Sequence, residues 1–209
     1  QAKYALSMSS IPELTFNISK IINSILGVSK KCLVVDLDNT CWGGVIGDDG
    51  LKAISIGLDN AISESYTSFQ KYLKELKQRG VILAVCSKND LKNAKEGFTH
   101  PDSVLRFEDF AAFKSNWDPK HLNIIDIATE INIGVDSLVF IDDNPVERDL
   151  VSSQIAGVIV PNVGDDVIDF IDHIDRNGYF EPISLLVDDI KRNKYYEDNK
   201  KRTLEQASF

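Results

Sequence analysis

Five short apolar runs punctuate the chain: "CLVVD" at 32–36, "VILAVC" at 81–86, "FAAF" at 110–113, "SLVFID" at 137–142 and "GVIV" at 157–160. Each is too short for a helix and most are β-branched, so each reads as a buried strand. Helical patterns fill the intervals. Residues 60–79 carry Ile62, Tyr66, Phe69, Leu73 and Leu76 on one stripe and stop at Gly80. "LKNAKEGF" opens a short helix, residues 120–132 read as another, and Phe16, Ile21, Ile22 and Ile25 place one at 14–26. Strands that alternate with helices need crossover connections. The pattern therefore predicts an α/β protein, a Rossmann-like three-layer αβα sandwich with a parallel central sheet.

The segment "GGVIGDDGLKAISIG" breaks this rhythm. Its glycines (Gly43, Gly44, Gly47, Gly50 and Gly57) and the "DDG" turn signal predict a small β-hairpin flap at about 43–57. The flap and one helix use up the chain between the first two strands, and core elements use up the rest. No large cap domain fits. The division expected is a helical lead-in at 1–30, a catalytic core at 31–165 and a charged helical extension at 166–209. That extension is either a solvated terminal helix or a connector to a further domain.

Bulk properties narrow the function. A formal net charge of −9 argues against nucleic acid and anionic membranes as partners. No stretch reaches the length of a membrane span. Cys32, Cys41 and Cys86 form no C-x-x-C pair, which points to a reducing compartment, with the cytoplasm as the expectation. His100, His121 and His173 have no metal-ligand spacing.

Chemistry is expected where the strands end, because open α/β sheets bind ligands beyond their carboxyl ends. The first strand delivers Asp36, Asp38 and Thr40; the second delivers Ser87, with Lys88, Asn89 and Asp90 behind it. Lys114 and Lys120 follow the third, and Asp142 and Asp143 close the fourth. Carboxylates converging at one edge repel one another unless a cation sits among them, and an all-oxygen set suits Mg2+. The Ser87 hydroxyl and a lysine ammonium would complete a phosphate site. A carboxylate could attack phosphorus while a second handles the proton, so the edge supports phosphoryl transfer.

"DLDNT" after the first strand, Ser87 after the second, a lysine, and "DD" after a later strand resemble the four motifs of the haloacid dehalogenase superfamily. The resemblance implies Asp36 as nucleophile and Asp38 as general acid/base, Asp38 also offering its backbone carbonyl to Mg2+. It implies Ser87 as the phosphate-binding hydroxyl and Lys120, in preference to Lys114, as the lysine. Asp143 matches the usual metal ligand, with Asp142 alongside. Asp36, Asp38, Asp142 and Asp143 are thus the metal set, and Thr40, Trp42, Gly43, Ser87, Lys88 and Asn89 the phosphate and substrate set.

"CLVVDLDNTCWGGVIGDDG", "VCSKND", "NWDPK" and "FIDDNPVER" further resemble the FkbH-like branch, over about residues 30–150. Some members of that branch load a glyceryl unit from a bisphosphoglycerate onto an acyl carrier protein, and many are fused to an acetyltransferase-like domain. The expected activity is a Mg2+-dependent phosphohydrolase with an aspartyl-phosphate intermediate, acting on a phosphorylated small molecule or a carrier-bound substrate. The alternatives are glyceryl transfer, with Cys86 as an acyl-accepting thiol or as a plain core residue, and a phosphoacceptor or interaction module. Receiver domains place their acidic pair first and their lysine last, which is not the order here. Trp42 either roofs the site or packs beneath the flap; Asn116 and Trp117 pose the same choice.

Overall fold

A computed structural model of the chain describes residues 6–181 and, beyond them, Asp198. Four strands form one parallel sheet: β1 (Cys32–Val35), β2 (Ile82–Ser87), β3 (Ala112–Ser115) and β4 (Leu138–Ile141). Their order is β3-β2-β1-β4. Among the described residues, seven α-helices accompany them: α1 (Ile11–Ile25), α2 (Ile46–Asp49), α3 (Ala61–Gln78), α4 (Leu91–Gly97), α5 (Lys120–Glu130), α6 (Pro145–Gln154) and α7 (Val167–Asp175).

The alternation of side chains along β1 builds the two faces. Leu33 and Val35 join a core with Phe69, Leu73 and Leu76 of α3 and Phe170 and Ile174 of α7. Cys32 and Val34 face the other way, onto Ile124, Ile127 and Ala128 of α5 and Val151 of α6. With helices on both sides, all four residues of β1 and of β4 are fully buried. This is the Rossmann-like three-layer arrangement that the strand and helix pattern predicts.

Three details differ from the expectation. The run at 157–160 forms no strand; Ile159 makes one parallel bridge to Val139 at the open edge of β4. The third strand begins at Ala112 and not Phe110, because Phe107–Asp109 turns as a 3-10 helix and delivers Phe110 to the core. The 43–57 segment is closed as a hairpin would be, by an antiparallel bridge between Gly43 and Ser55, but its interior is the single turn of α2. Asp49 causes the change by capping that turn, its Oδ2 accepting from the Val45 N–H at 2.9 Å.

No helix among the described residues is long and apolar enough to cross a membrane. Of the expected extension, residues 167–175 form α7 inside the core, and 182–197 and 199–209 lie outside the described residues.

Candidate active site

β1 is the topological switch point of the sheet. The chain leaves it toward β2 on one side and returns as β4 on the other. Val35 lies beside Ile141, and the Asp36 N–H continues the ladder to the Ile141 carbonyl at 2.9 Å. The first residue past β1 and the first past β4 therefore emerge side by side, and both are aspartates. One oxygen each from Asp36, Asp142 and Asp143 lies within 4.8 Å of the others.

Lys120 opens α5 and is almost wholly buried, its side chain 4% exposed. Its ammonium lies 2.6 Å from Asp142 Oδ2 and 2.9 Å from Asp36 Oδ1. Burial disfavours the ammonium, yet the two carboxylates hold its pKa above the ordinary lysine value. Lys114, the other lysine considered, pairs instead with Glu130 at 3.1 Å on the flank of α5.

Negative charge still exceeds positive here. Burial first, and the Asp36 charge next, push the Asp142 carboxyl up to about 6 against the pull of Lys120. Burial and Asp36 raise Asp143 likewise. Asp36 Oδ1 is buried and, apart from its ion pair, has no hydrogen bond. Two buried carboxylates and a half-buried third, with only Lys120 among them to meet an Asp36 oxygen, form an all-oxygen donor set that suits a hard divalent cation.

The loop after β1 supplies the remaining groups. Asn39 turns the chain at φ 55°, a left-handed conformation that asparagine tolerates. Thr40, fully buried, receives the Asp143 N–H at 3.3 Å and contacts Asp143 Oδ1 at 3.4 Å, tying this loop to the one after β4. The Asp38 carboxylate is not in the triad. It accepts hydrogen bonds from Trp42 Nε1 (2.9 Å), the Ile46 N–H (3.1 Å) and Asn89 Nδ2 (2.8 Å). Burial, helped by Asp36, nonetheless keeps its pKa above the usual aspartate value.

Trp42, read in the sequence as a roof over the site or as packing under the flap, is fully buried in the core. It meets the Phe98 ring at 5.2 Å. Only its indole N–H reaches the site, through Asp38. Gly43 is likewise covered: a Cβ there would lie 2.7 Å from the Tyr66 ring, so this glycine allows close packing. Ser87 ends β2, 2% exposed, with its carbonyl accepting from the Asn116 N–H at 3.2 Å. Lys88 pairs with Glu147. Trp117 is exposed, its indole N–H donating to Asp90 Oδ1 at 3.3 Å, and Asn116 bonds with Asn123.

Cys86 faces away from this edge, into the α5 side of the sheet, with Sγ toward the Lys120 carbonyl at 3.6 Å. Burial pushes its thiol well above the ordinary cysteine range. Strand alternation already placed it opposite to Ser87.

Arg148 joins the site without belonging to any of the strand-end motifs. From α6 its guanidinium donates to the carbonyls of Asp142 (2.8 Å) and Asp143 (2.6 Å), clamping the acidic pair. Asn144 and Pro145 were the available signal: they cap and open α6 directly after the acidic pair, so that the helix's first turn points back at it.

Neither a protein-family model nor a curated protein matches the chain. Among solved structures, the chain is similar to the N-terminal part of BF1531 from Bacteroides fragilis, described as containing a phosphatase domain and complexed with Mg. The two share 44% sequence identity over 88% of this chain with a TM-score of 0.82, and this chain spans about half (49%) of the other. An uncharacterized protein from Corynebacterium glutamicum aligns over 62% of this chain and 82% of its own at 16% identity. Its TM-score of 0.38 carries no argument.

Proposed function

We propose that this chain is a Mg2+-dependent phosphohydrolase of the haloacid dehalogenase type, working through an aspartyl-phosphate on Asp36. The observation that carries the reading is the Asp36–Asp142–Asp143 triad, two of its members buried and Lys120 between those two, at the switch point of the sheet. Similarity to a phosphatase domain complexed with Mg supports it. Asp36, Asp142 and Asp143 would hold the ion, which offsets charge on the phosphoryl group and on the carboxylates.

Asp36 attacks phosphorus, and its carboxylate becomes the acyl phosphate as the ester oxygen leaves. Asp38 gives that oxygen a proton and then takes one from the water that attacks the intermediate. Its raised pKa suits a group that must carry a proton in one half-reaction and accept one in the other. Lys120 holds Asp36 in place and compensates its charge, while Ser87 and Asn89, at the end of β2, flank the phosphate.

The finer assignment to the FkbH-like branch rests on the motif resemblance. Acyl transfer to Cys86 finds no support in a thiol that is buried and held protonated. Transfer to a carrier's own thiol is the form of that chemistry still compatible with the site.

The test is turnover of p-nitrophenyl phosphate. Wild type should release p-nitrophenol with Mg2+ and stop when EDTA is added, and Asp36→Asn should be inactive while melting cooperatively. An Asp36→Asn protein that turns over at a comparable rate would sink the nucleophile assignment.

A further inference from the structure

A second ion pair crosses the site: Lys88, which the motif resemblance sets among the phosphate residues, meets Glu147, to which the chemistry above gives no role. Lys88 Nζ lies 2.5 Å from Glu147 Oε1. Lys88 directly follows β2, and Glu147 sits in the first turn of α6, after β4. Since β1 lies between those two strands, the pair spans the carboxyl end of β1, where Asp36 stands.

The pair is built unlike a surface salt bridge. The Glu147 side chain is only 12% exposed, and its Oε2 is buried without a hydrogen bond. A desolvated, half-satisfied carboxylate lowers stability and is not explained by folding alone. The Lys88 side chain, by contrast, is 36% exposed. Its ammonium has three N–H donors, so two remain after Glu147 is served. Among the described residues, the other two cations at this edge are committed: Lys120 to Asp36 and Asp142, Arg148 to the backbone carbonyls of Asp142 and Asp143.

We propose that Glu147 is a positioning residue that holds the Lys88 ammonium over Asp36, where Lys88 donates to the oxygens of the bound phosphoryl group. The assignment rests on the phosphoryl-transfer reading of the site and extends it to a second cation. A lysine stem loses rotamer freedom when it is fixed, and Glu147 fixes it before the ligand arrives. The helix N-terminus favours an acidic residue at that position.

The sign of one substitution separates this role from plain electrostatics. Removing the charge of Glu147 makes the edge less negative, and Coulomb attraction alone would then tighten phosphate binding. Loss of positioning weakens it. Isothermal titration of inorganic phosphate into the full chain, at saturating Mg2+, reads this for wild type, Lys88→Ala, Glu147→Gln and the double variant. Glutamine keeps the volume of Glu147 and so guards against misfolding.

The expected dissociation constant rises about tenfold or more in Lys88→Ala and about three- to tenfold in Glu147→Gln. In the Lys88→Ala background the Glu147→Gln weakening should vanish or reverse. With p-nitrophenyl phosphate the same variants should raise KM more than they lower kcat. Phosphate bound as tightly or more tightly by Glu147→Gln overturns the proposal, as does an equal weakening without Lys88, or a wild type that binds no phosphate. A wild type that shows the binding pattern yet hydrolyses nothing overturns the hydrolase reading instead and leaves the Lys88–Glu147 assignment standing.

Discussion

Lys120 is the residue on which the site's electrostatics turn. It is 3% exposed and separates two carboxylates that would otherwise face each other in the interior. Replacing it with methionine keeps the stem's volume and leaves Asp36 and Asp142 uncompensated. Breaking a buried ion pair from one side costs about 3–5 kcal/mol. Lys120→Met should therefore lose stability of that order in urea denaturation with EDTA present, and lose p-nitrophenyl phosphate turnover. A variant that unfolds at the wild-type midpoint would mean that the carboxylates do not depend on Lys120. At this scale the strand-end residues were legible, because a residue just past a parallel strand has a position that topology dictates. Asp36, Asp142, Asp143 and Ser87 stand where the pattern put them. Trp42, Arg148 and Glu147 were not legible in the same way, because where a long side chain ends depends on neighbours distant in sequence.

Elements locate groups that no single residue could hold. The loop after β1 carries Asp38 and its donor Trp42, the first residue of α2 supplies the Ile46 N–H, and α4 supports that loop from below. Gly97, the last residue of α4, lies against Trp42: a Cβ there would come within 2.5 Å of the indole. Gly97→Ala thus sets two effects in opposition. Helix propensity favours alanine by up to about 1 kcal/mol. Overpacking a filled core costs about 1–3 kcal/mol, and here it displaces the ring whose N–H is bonded to Asp38. The clash should win, lowering both the unfolding midpoint and kcat. A Gly97→Ala protein with raised stability and intact turnover would show that Trp42 does not hold Asp38. The same scale explains the misread elements. Asp49 caps a helical turn inside a segment whose glycines suggested a hairpin, and the 157–160 run opens on Gly157 and is stopped by Pro161, where the edge of β4 offers one bridge. Local side-chain bonds decided the first, and the strand-like pattern of the second could not show how little edge was left to pair with.

The whole molecule responds to the crowding of negative charge at one edge of its sheet, on a chain with a net charge of −9. Asp142 is fully buried, and its pKa is pushed from 3.8 up to about 6, by burial first and then by Asp36. Between those values the folded protein binds a proton that the unfolded chain has lost. Protonation of Asp142 therefore stabilises the metal-free fold at low pH, and this stabilisation, on the order of 3 kcal/mol, disappears as pH rises through about 6. Asp143 is raised in the same direction. A divalent cation competes with these protons for the same oxygens, so it binds the folded protein most tightly where they are gone. The rise in melting temperature caused by saturating Mg2+ should thus be small at pH 5 and clearly larger at pH 7.5. Asp142→Asn removes the titrating group and should flatten that difference, although the fold keeps its other two carboxylates. Differential scanning fluorimetry with Mg2+ against EDTA at the two pH values measures it. A Mg2+ shift that is equal at both pH values in the wild type would mean that the ion does not bind at the Asp36–Asp142–Asp143 triad.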